Sequence, residues 1–259
     1  MRAIITGASS GIGLTLAREL ARRGHELALL ARRTELLEEL AQELRKSGAK
    51  AVAIPCDVVS LDDVRAAVHR ASGELGGPFD LAVANAGVSI PGHATKFNVS
   101  DVEQVMRVNY FGMVYLFDAV IPAMVERHSG RFAGVASIAG LRGLPTSSAY
   151  SASKAAMQSF LEAVRVELEP YGVGVTIINP GFIATPMTEK NRFKMPFLMT
   201  AEEAAVVIAD GLERGDRLVE FPKPMSLLMR TVRLVPDALY DRVMASAARR
   251  KLHGPKEKA

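Results

Sequence analysis

A chain of 259 residues, 49% of them hydrophobic, can bury a full core, and α/β folds of this size commonly form one domain. The formal charge of +4 is small and unevenly placed, because residues 223–259 hold nine Lys or Arg against three Asp or Glu while the remainder is slightly acidic. That balance excludes nucleic-acid binding by the main body, and the single cysteine, Cys56, excludes an internal disulfide. Its apolar surroundings favour a packed, inert thiol. No metal site is expected. The glycine-rich turn follows the first strand so closely that no signal peptide is expected, and no stretch approaches about 18 apolar residues. A cytoplasmic protein is expected.

Residues 2–6 form a short apolar strand, and 11–23 carry Ile12, Leu16, Ala17 and Leu20 at helical period before Gly24 stops the helix. Residues 27–31 are a second strand. A charged amphipathic helix follows over 34–46 with Thr34 as candidate N-cap, then a strand over 51–55 and a helix over 61–73. A strand at 80–84 leads into a long helix at 100–126, and a strand at 131–136 into a helix at 151–169. The series ends with a strand at 174–179, a helix at 201–213 and a seventh strand at 217–221. This alternation predicts an α/β fold of Rossmann type, a doubly wound parallel sheet of about seven strands with helices on both faces. Residues 1–221 make that unit, and 222–259 add a C-terminal helical extension of the same domain.

Two local patterns carry chemistry. Gly7, Gly11 and Gly13 join the first strand to its helix in the order G-x-x-x-G-x-G, which departs from the strict G-x-G-x-x-G fingerprint but supplies the same physics. Glycine permits close backbone approach, and the helix N-terminus aims N–H groups and a positive dipole at a phosphate. Tyr150 and Lys154, four apart on one helix, put a phenol and an ammonium on one face, and a neighbouring cation lowers a phenol's pKa. Spacing alone decides little. Ser137, at the end of an apolar strand, together with Thr6-Gly-Ala-Ser-Ser-Gly-Ile-Gly13, Asn85-Ala-Gly87, Asn109 and the Tyr-Lys pair, resembles the classical short-chain dehydrogenase/reductase family over residues 2 to 221.

The resemblance implies hydride transfer between C4 of a nicotinamide and a carbonyl carbon, with Tyr150 protonating the oxygen and Ser137 hydrogen-bonding it. Lys154 would lower the Tyr150 pKa and anchor the nicotinamide ribose, while Asn109 would hold a water that resupplies the proton. The cofactor would meet Gly7, Ser9, Ser10, Gly11, Ile12 and Gly13 at the pyrophosphate, and Asp57 and Val58 at the adenine. Asn85, Ala86 and Gly87 would form its floor, and Pro180, Gly181, Ile183 and Thr185 would hold the carboxamide. Asp57 reads equally well as a helix cap. After the second strand, Arg32 and Arg33 stand where a carboxylate would select NAD, so NADP(H) is predicted, with Arg32 ahead of Arg33 as the phosphate contact. A catalytically silent NADPH-binding sensor or scaffold, and an epimerase or dehydratase on the same fold, remain as alternatives.

The expected pocket walls at 88–95, 138–145 and 182–199 are largely apolar, with Leu141, Leu144, Phe193, Met195, Phe197 and Met199, although Arg142, Arg192 and Lys194 stand nearby. A lipophilic ketone or aldehyde is the expected substrate. Residues 186–200 occupy the place of the family's substrate lid. Helices 100–126 and 151–169 carry more apolar surface than one sheet needs, and the resemblance implies a homodimer or homotetramer through them. The tail gives an apolar run at 225–235 with Arg230 and Arg233. A second segment at 237–250 holds Leu239, Tyr240, Val243, Met244 and Ala247, with Arg242, Arg249, Arg250 and Asp237 as N-cap. It either rests on an anionic bilayer as a peripheral contact or covers the sheet edge and substrate cleft, ending in a frayed basic stretch at 249–259.

Overall fold

The computed structural model describes the backbone of residues 1–189, 191 and 194–252, and the side chains of these up to 245. The expectations placed on Arg192, Phe193, Ala247, Arg249, Arg250 and the basic end lie outside the described side chains. Seven strands, β1 (Arg2–Thr6), β2 (Glu26–Ala31), β3 (Ala51–Pro55), β4 (Leu81–Ala84), β5 (Gly130–Val135), β6 (Val173–Pro180) and β7 (Leu218–Phe221), form one parallel sheet in the order β3-β2-β1-β4-β5-β6-β7. The chain winds outward from β1 to β3 and then returns across β1 to β4. This reversal opens a crevice at the carboxyl ends of β1 and β4.

Alternate residues of each strand feed opposite cores. Ile5, Leu27 and Leu29 pack under α1 (Gly11–Arg22), α2 (Thr34–Lys46) and α7 (Ala201–Arg214), meeting Leu16, Leu37 and Ile208. Ile4, Ala28 and Leu30 face the other side, where α3 (Leu61–Leu75), α5 (Gly112–Glu126) and α6 (Ser148–Leu168) bring Val64, Leu116 and Leu161. Each such fully buried side chain stabilises the fold by roughly 1.5–3 kcal/mol before entropy is counted. At Gly134 the fit is tight, since a Cβ there would stand 2.5 Å from a Leu161 methyl.

The structure corrects three local expectations. Thr34 is the first residue inside α2, and Arg33 is the N-cap, with no side-chain cap bond. Asp57 does not cap α3; Ser60 does, accepting from the Asp63 N–H at 3.2 Å. The long helix expected at 100–126 is α4 (Val99–Met106) and α5 joined by one wide π-turn, Arg107–Phe111, which contains Asn109. By length and composition Val99–Glu126 also passes as a membrane-crossing helix, but its buried side lies on the sheet through Met113, Leu116, Val120 and Met124. Beyond β7 come α8 (Lys223–Leu234) and α9 (Asp237–Leu252), the predicted extension. Met225 and Met229 of α8 join Ile138, Leu141, Leu144 and Phe182 in a small third apolar cluster.

Candidate active site

The crevice holds a cleft of about 500 Å³ lined by residues from six strand ends. At its floor, Gly7 and Gly11 adopt φ of +68° and +55°, the left-handed region open to glycine, and bend the chain tightly into α1. Ser10, the N-cap of α1, makes no cap bond with its side chain, so the first N–H groups of the helix are left for a ligand. A Cβ on Gly7 would lie 2.8 Å from the Ala86 Cα, and one on Gly13 would lie 2.4 Å from both the Gly7 oxygen and the Asn85 amide nitrogen. Gly13 therefore does not line the cleft. It lets β1, α1 and the Asn85 turn close together. Asn85 completes that junction, donating to the carbonyls of Thr6 and Gly7 at 3.0 and 3.2 Å, while the Thr6 hydroxyl accepts from the Asn85 and Ala86 N–H groups.

At the adenine end stand Arg32, Arg33, Asp57 and Val58, with Ala31 and Cys56 beneath them. Arg33 reaches back over the glycine turn, donating to the Ser9 hydroxyl at 2.9 and 3.2 Å and to Ser10 at 2.6 Å. A fixed guanidinium between two hydroxyls is a ready seat for a phosphate. Burial, helped by the carboxylates of Asp63 and Asp57, pushes the Cys56 thiol up to about 12, so it is a packing group.

At the other end Ser137, Tyr150 and Lys154 meet. The Ser137 hydroxyl accepts from the Ala139 N–H at 3.1 Å, donates to the Pro180 carbonyl at 3.3 Å and shares a hydrogen bond with the Tyr150 phenol. Burial raises the Tyr150 pKa, and the Ser137 bond only partly offsets this. The expectation that Lys154 acidifies the phenol does not hold in this arrangement. Its Nζ lies 5.7 Å from the centre of the Tyr150 ring and donates instead to the Val135 carbonyl at 2.7 Å. Burial lowers Lys154 to about 7. The phenol is thus fully protonated near neutrality, the state a proton donor needs.

Asn109 is fully buried beside the cleft without lining it. Its Oδ1 accepts from the Val88 N–H at 2.7 Å, and its Nδ2 donates to the Val88 carbonyl and the Ser153 hydroxyl, both at 3.0 Å. The side chain expected to hold a water instead holds Val88, which does line the cleft. Pro180, Gly181, Ile183 and Thr185 line it as expected, and Pro186, Met187 and Thr188 join them. The Thr188 hydroxyl donates to the Ile183 carbonyl at 2.6 Å and accepts from the Thr185 N–H at 3.0 Å, a tie that sequence reading passed over. Among the described apolar residues of the expected walls, Val88, Ile183, Pro186 and Met187 reach this cleft, while Met199 packs on the α1–α7 core. Met199 and Phe182 also close the ends of the lid segment, through bonds between Ala184 and Met199 at 2.8 Å and between Met199 and Phe182 at 3.1 Å.

This constellation has counterparts elsewhere. A family model for short chain dehydrogenases matches residues 1–195. A Myxococcus xanthus protein described as an uncharacterized oxidoreductase is 40% identical over 248 residues, covering 96% of each chain. Two solved structures share the fold. A short chain dehydrogenase/reductase from Burkholderia phymatum in complex with NAD superposes with TM-score 0.82 at 24% identity, over 88% of this chain and 91% of that one. A short-chain dehydrogenase from Sphingobium yanoikuyae in complex with NADPH does so with TM-score 0.78 at 27% identity, over 100% and 98%. Sequence match, sheet order and the meeting of glycine turn, Ser137, Tyr150 and Lys154 agree, and this chain belongs to the short-chain dehydrogenase family of oxidoreductases.

Proposed function

We propose that this protein is an NADP(H)-dependent reductase that converts a lipophilic ketone or aldehyde into an alcohol. The observation that carries the reading is the hydrogen-bonded Ser137–Tyr150 pair, with Tyr150 held protonated, in the cleft whose far end carries Arg33 over the glycine turn. The glycine turn, the open N-terminus of α1 and the Asn85–Gly87 floor fit a nicotinamide dinucleotide, because all three line one cleft and the first N–H groups of α1 are uncapped by Ser10. That cofactor, when bound, supplies the hydride for the carbonyl carbon. The chain's own residues do the rest.

Ser137 and Tyr150 bring two hydroxyls to one end of the cleft, so once the Ser137 hydroxyl turns from the Pro180 carbonyl a substrate oxygen there accepts from both, and charge developing on it is stabilised. Tyr150 gives up its proton as the alcohol forms. Arg33 takes the ribose 2′-phosphate ahead of Arg32, reversing the order expected from sequence, because its guanidinium is already fixed by Ser9 and Ser10. No carboxylate stands at 31–33 to favour NAD. Leu141, Leu144 and Phe182, half-buried beyond Ser137, favour an apolar substrate.

Two surfaces extend the proposal. The ring cluster of Tyr110, Phe111 and Tyr115, with exposed Val166, is the face through which α5 and α6 pair with a second copy. Leu227, Leu228, Leu234, Leu239 and Val243 are all at least half exposed on the basic extension, and they seat a cytoplasmic protein on an anionic membrane face. A screen of NADPH oxidation against a broad carbonyl library tests the central reading. Oxidation by hydrophobic ketones or aldehydes that Tyr150→Phe abolishes is the expected result. Turnover with sugar nucleotides or hydroxyacyl substrates without net NADPH consumption would instead make the enzyme an epimerase or dehydratase.

A further inference from the structure

Between Ser137 and Tyr150 the chain makes a short 3₁₀ turn, Ile138–Gly140, and then a loop, 141–147, before α6 begins. Both hydroxyls of the reaction thus flank one loop, and whatever fixes that loop bears on the substrate. Arg142 at its tip is only 14% exposed, which for an arginine in a surface loop requires partners. It has many. One terminal nitrogen donates to the carbonyls of Val232, Arg233 and Val235 at 3.1, 3.0 and 2.8 Å, at and just past the C-terminal end of α8. The other donates to the Asp237 carboxylate at 2.8 Å, and the guanidinium carbon lies 4.1 Å from the centre of the Tyr240 ring. The Tyr240 hydroxyl returns to the loop, donating to the Gly143 carbonyl.

The weights of these contacts differ. Asp237 is 94% exposed, so that ion pair contributes little. The contacts of the mostly buried guanidinium with the last carbonyls of a helix and with an aromatic face contribute more. Below the clasp, Met225 and Met229 of α8 are buried against Ile138, Leu141, Leu144 and Phe182. Phe182 stands between Gly181 and Ile183, which line the cleft, and Ile138 follows Ser137 directly. One chain of contacts therefore runs from the α8–α9 hairpin to the catalytic hydroxyls. The Arg142 stem and Tyr240 are its outer fastening.

We infer that the α8–α9 hairpin is a wall of the substrate site, and that Arg142 is a positioning residue that fastens this wall to the loop between Ser137 and Tyr150. The inference rests on the carbonyl-reductase reading for its substrate, but the fastening itself does not. Arg142 touches neither the cofactor cleft nor the reacting hydroxyls, so its removal affects how well a bulky apolar substrate is enclosed while leaving the proton donor in place.

The test compares full-length wild type with Arg142→Met and Arg142→Lys. Deuterium exchange needs no substrate, and in Arg142→Met it should quicken about tenfold or more over 141–147 and 232–240 while the sheet is unchanged. Kd for NADPH should stay within about twofold, because the cleft is remote from the clasp. For carbonyls reduced by wild type, KM for a long apolar substrate should rise about tenfold, with kcat and the KM of a short one nearly unchanged. Arg142→Lys should recover part of the KM, since an ammonium reaches the helix carbonyls but lacks the planar face for Tyr240. Unchanged exchange overturns the clasp. Equal changes for short and long substrates, or loss of NADPH binding, overturn the specificity role. A wild type that reduces no carbonyl overturns the proposed function, and the exchange result still decides the fastening. Should Arg142→Met fail to fold, Tyr240→Phe removes only the bond to Gly143 and should shift KM and exchange the same way by about threefold. No shift there overturns the inference too.

Discussion

Lys154 offers the sharpest test of the electrostatics. Its side chain is 3% exposed and donates to the Val135 carbonyl and, at 3.4 Å, to the Met157 sulfur, and among the described residues no carboxylate pairs with it. Burial brings its pKa from 10.5 down to about 7. Below that value both the folded and the unfolded chain carry the charge, and the folded chain alone bears its desolvation. Between about 7 and 10.5 the unfolded chain holds a proton that the folded chain lacks, so the free energy of unfolding rises with pH by about 1.4 kcal/mol per unit. Above 10.5 both are neutral and the rise ends. Lys154→Met keeps the length of the side chain without the charge. It also leaves the Val135 carbonyl unpaired, but that loss is the same at every pH and cancels in a comparison across pH. Relative to wild type, the nucleotide-free variant should therefore be most favoured near pH 6, and its advantage should shrink by about 2 to 3 kcal/mol by pH 9. Urea unfolding at the two pH values reads this directly. A difference that stays constant would show that Lys154 titrates where a solvated lysine does, and one that widens toward pH 9 that the fold raises its pKa; either would refute the desolvation argument.

Three further outcomes follow from the geometry. Tyr150→Phe removes the proton without reshaping the site, so turnover should drop by about 10²- to 10⁴-fold while NADPH binding, read by nucleotide fluorescence, is retained; near wild-type turnover would sink the mechanism. Arg33→Ala should cut the preference for NADPH over NADH by about tenfold or more, and Arg32→Ala by less, because only Arg33 is fixed by Ser9 and Ser10; the opposite ranking of dissociation constants would return the phosphate to Arg32. The full chain should co-sediment with anionic liposomes at low salt and release them at high salt, and Leu227→Asp with Leu228→Asp should abolish the association; wild-type protein left in the supernatant at low salt removes the membrane from the proposal.

How much of this was legible in the sequence depends on how local each feature is. The glycine turn could be read because its function lies in backbone conformation over seven consecutive residues, and the seven strands because fully buried parallel strands show as short apolar runs. Tyr150 and Lys154 share a helix face by spacing alone. Which acceptor the lysine finds is another matter, since the Val135 carbonyl lies 19 positions away and comes near only when β5 and α6 pack. The same holds for Asn109, whose partners Val88 and Ser153 are 21 and 44 positions off. No periodicity signals the π-turn around it, because one extra residue in an apolar helix leaves the pattern nearly intact. The Thr34 cap failed for a different reason. Thr34 is the kind of residue that caps helices, but the chain turns one residue earlier, at Arg33, whose side chain is drawn back to Ser9 and Ser10. For α3 the cue was present and unread: Ser60 followed three residues later by Asp63 is a cap pattern, and it leaves Asp57 to the cleft.

The extension shows why two opposed readings of one segment need not compete. Covering the fold and meeting a bilayer were set against each other because an amphipathic helix has one apolar face to spend. On α8, Met225 and Met229, four apart, turn inward to Ile138 and Phe182. Leu227 and Leu234 fall on the opposite side of the same 3.6-residue repeat and Leu228 on its flank, and all three stay exposed. Arg230 sits between, paired with Glu220 at the end of the sheet. The helix is thus apolar on two sides, one engaged within the chain and one not, and Arg142 holds the whole hairpin to the loop that separates Ser137 from Tyr150. A surface contact on the outer leucines would then act on the same body that walls the substrate site. The proposed enclosure of an apolar substrate and the proposed seating on lipid would then be two faces of one helix, separable by the Arg142 and Leu227 variants because each disturbs only one of them.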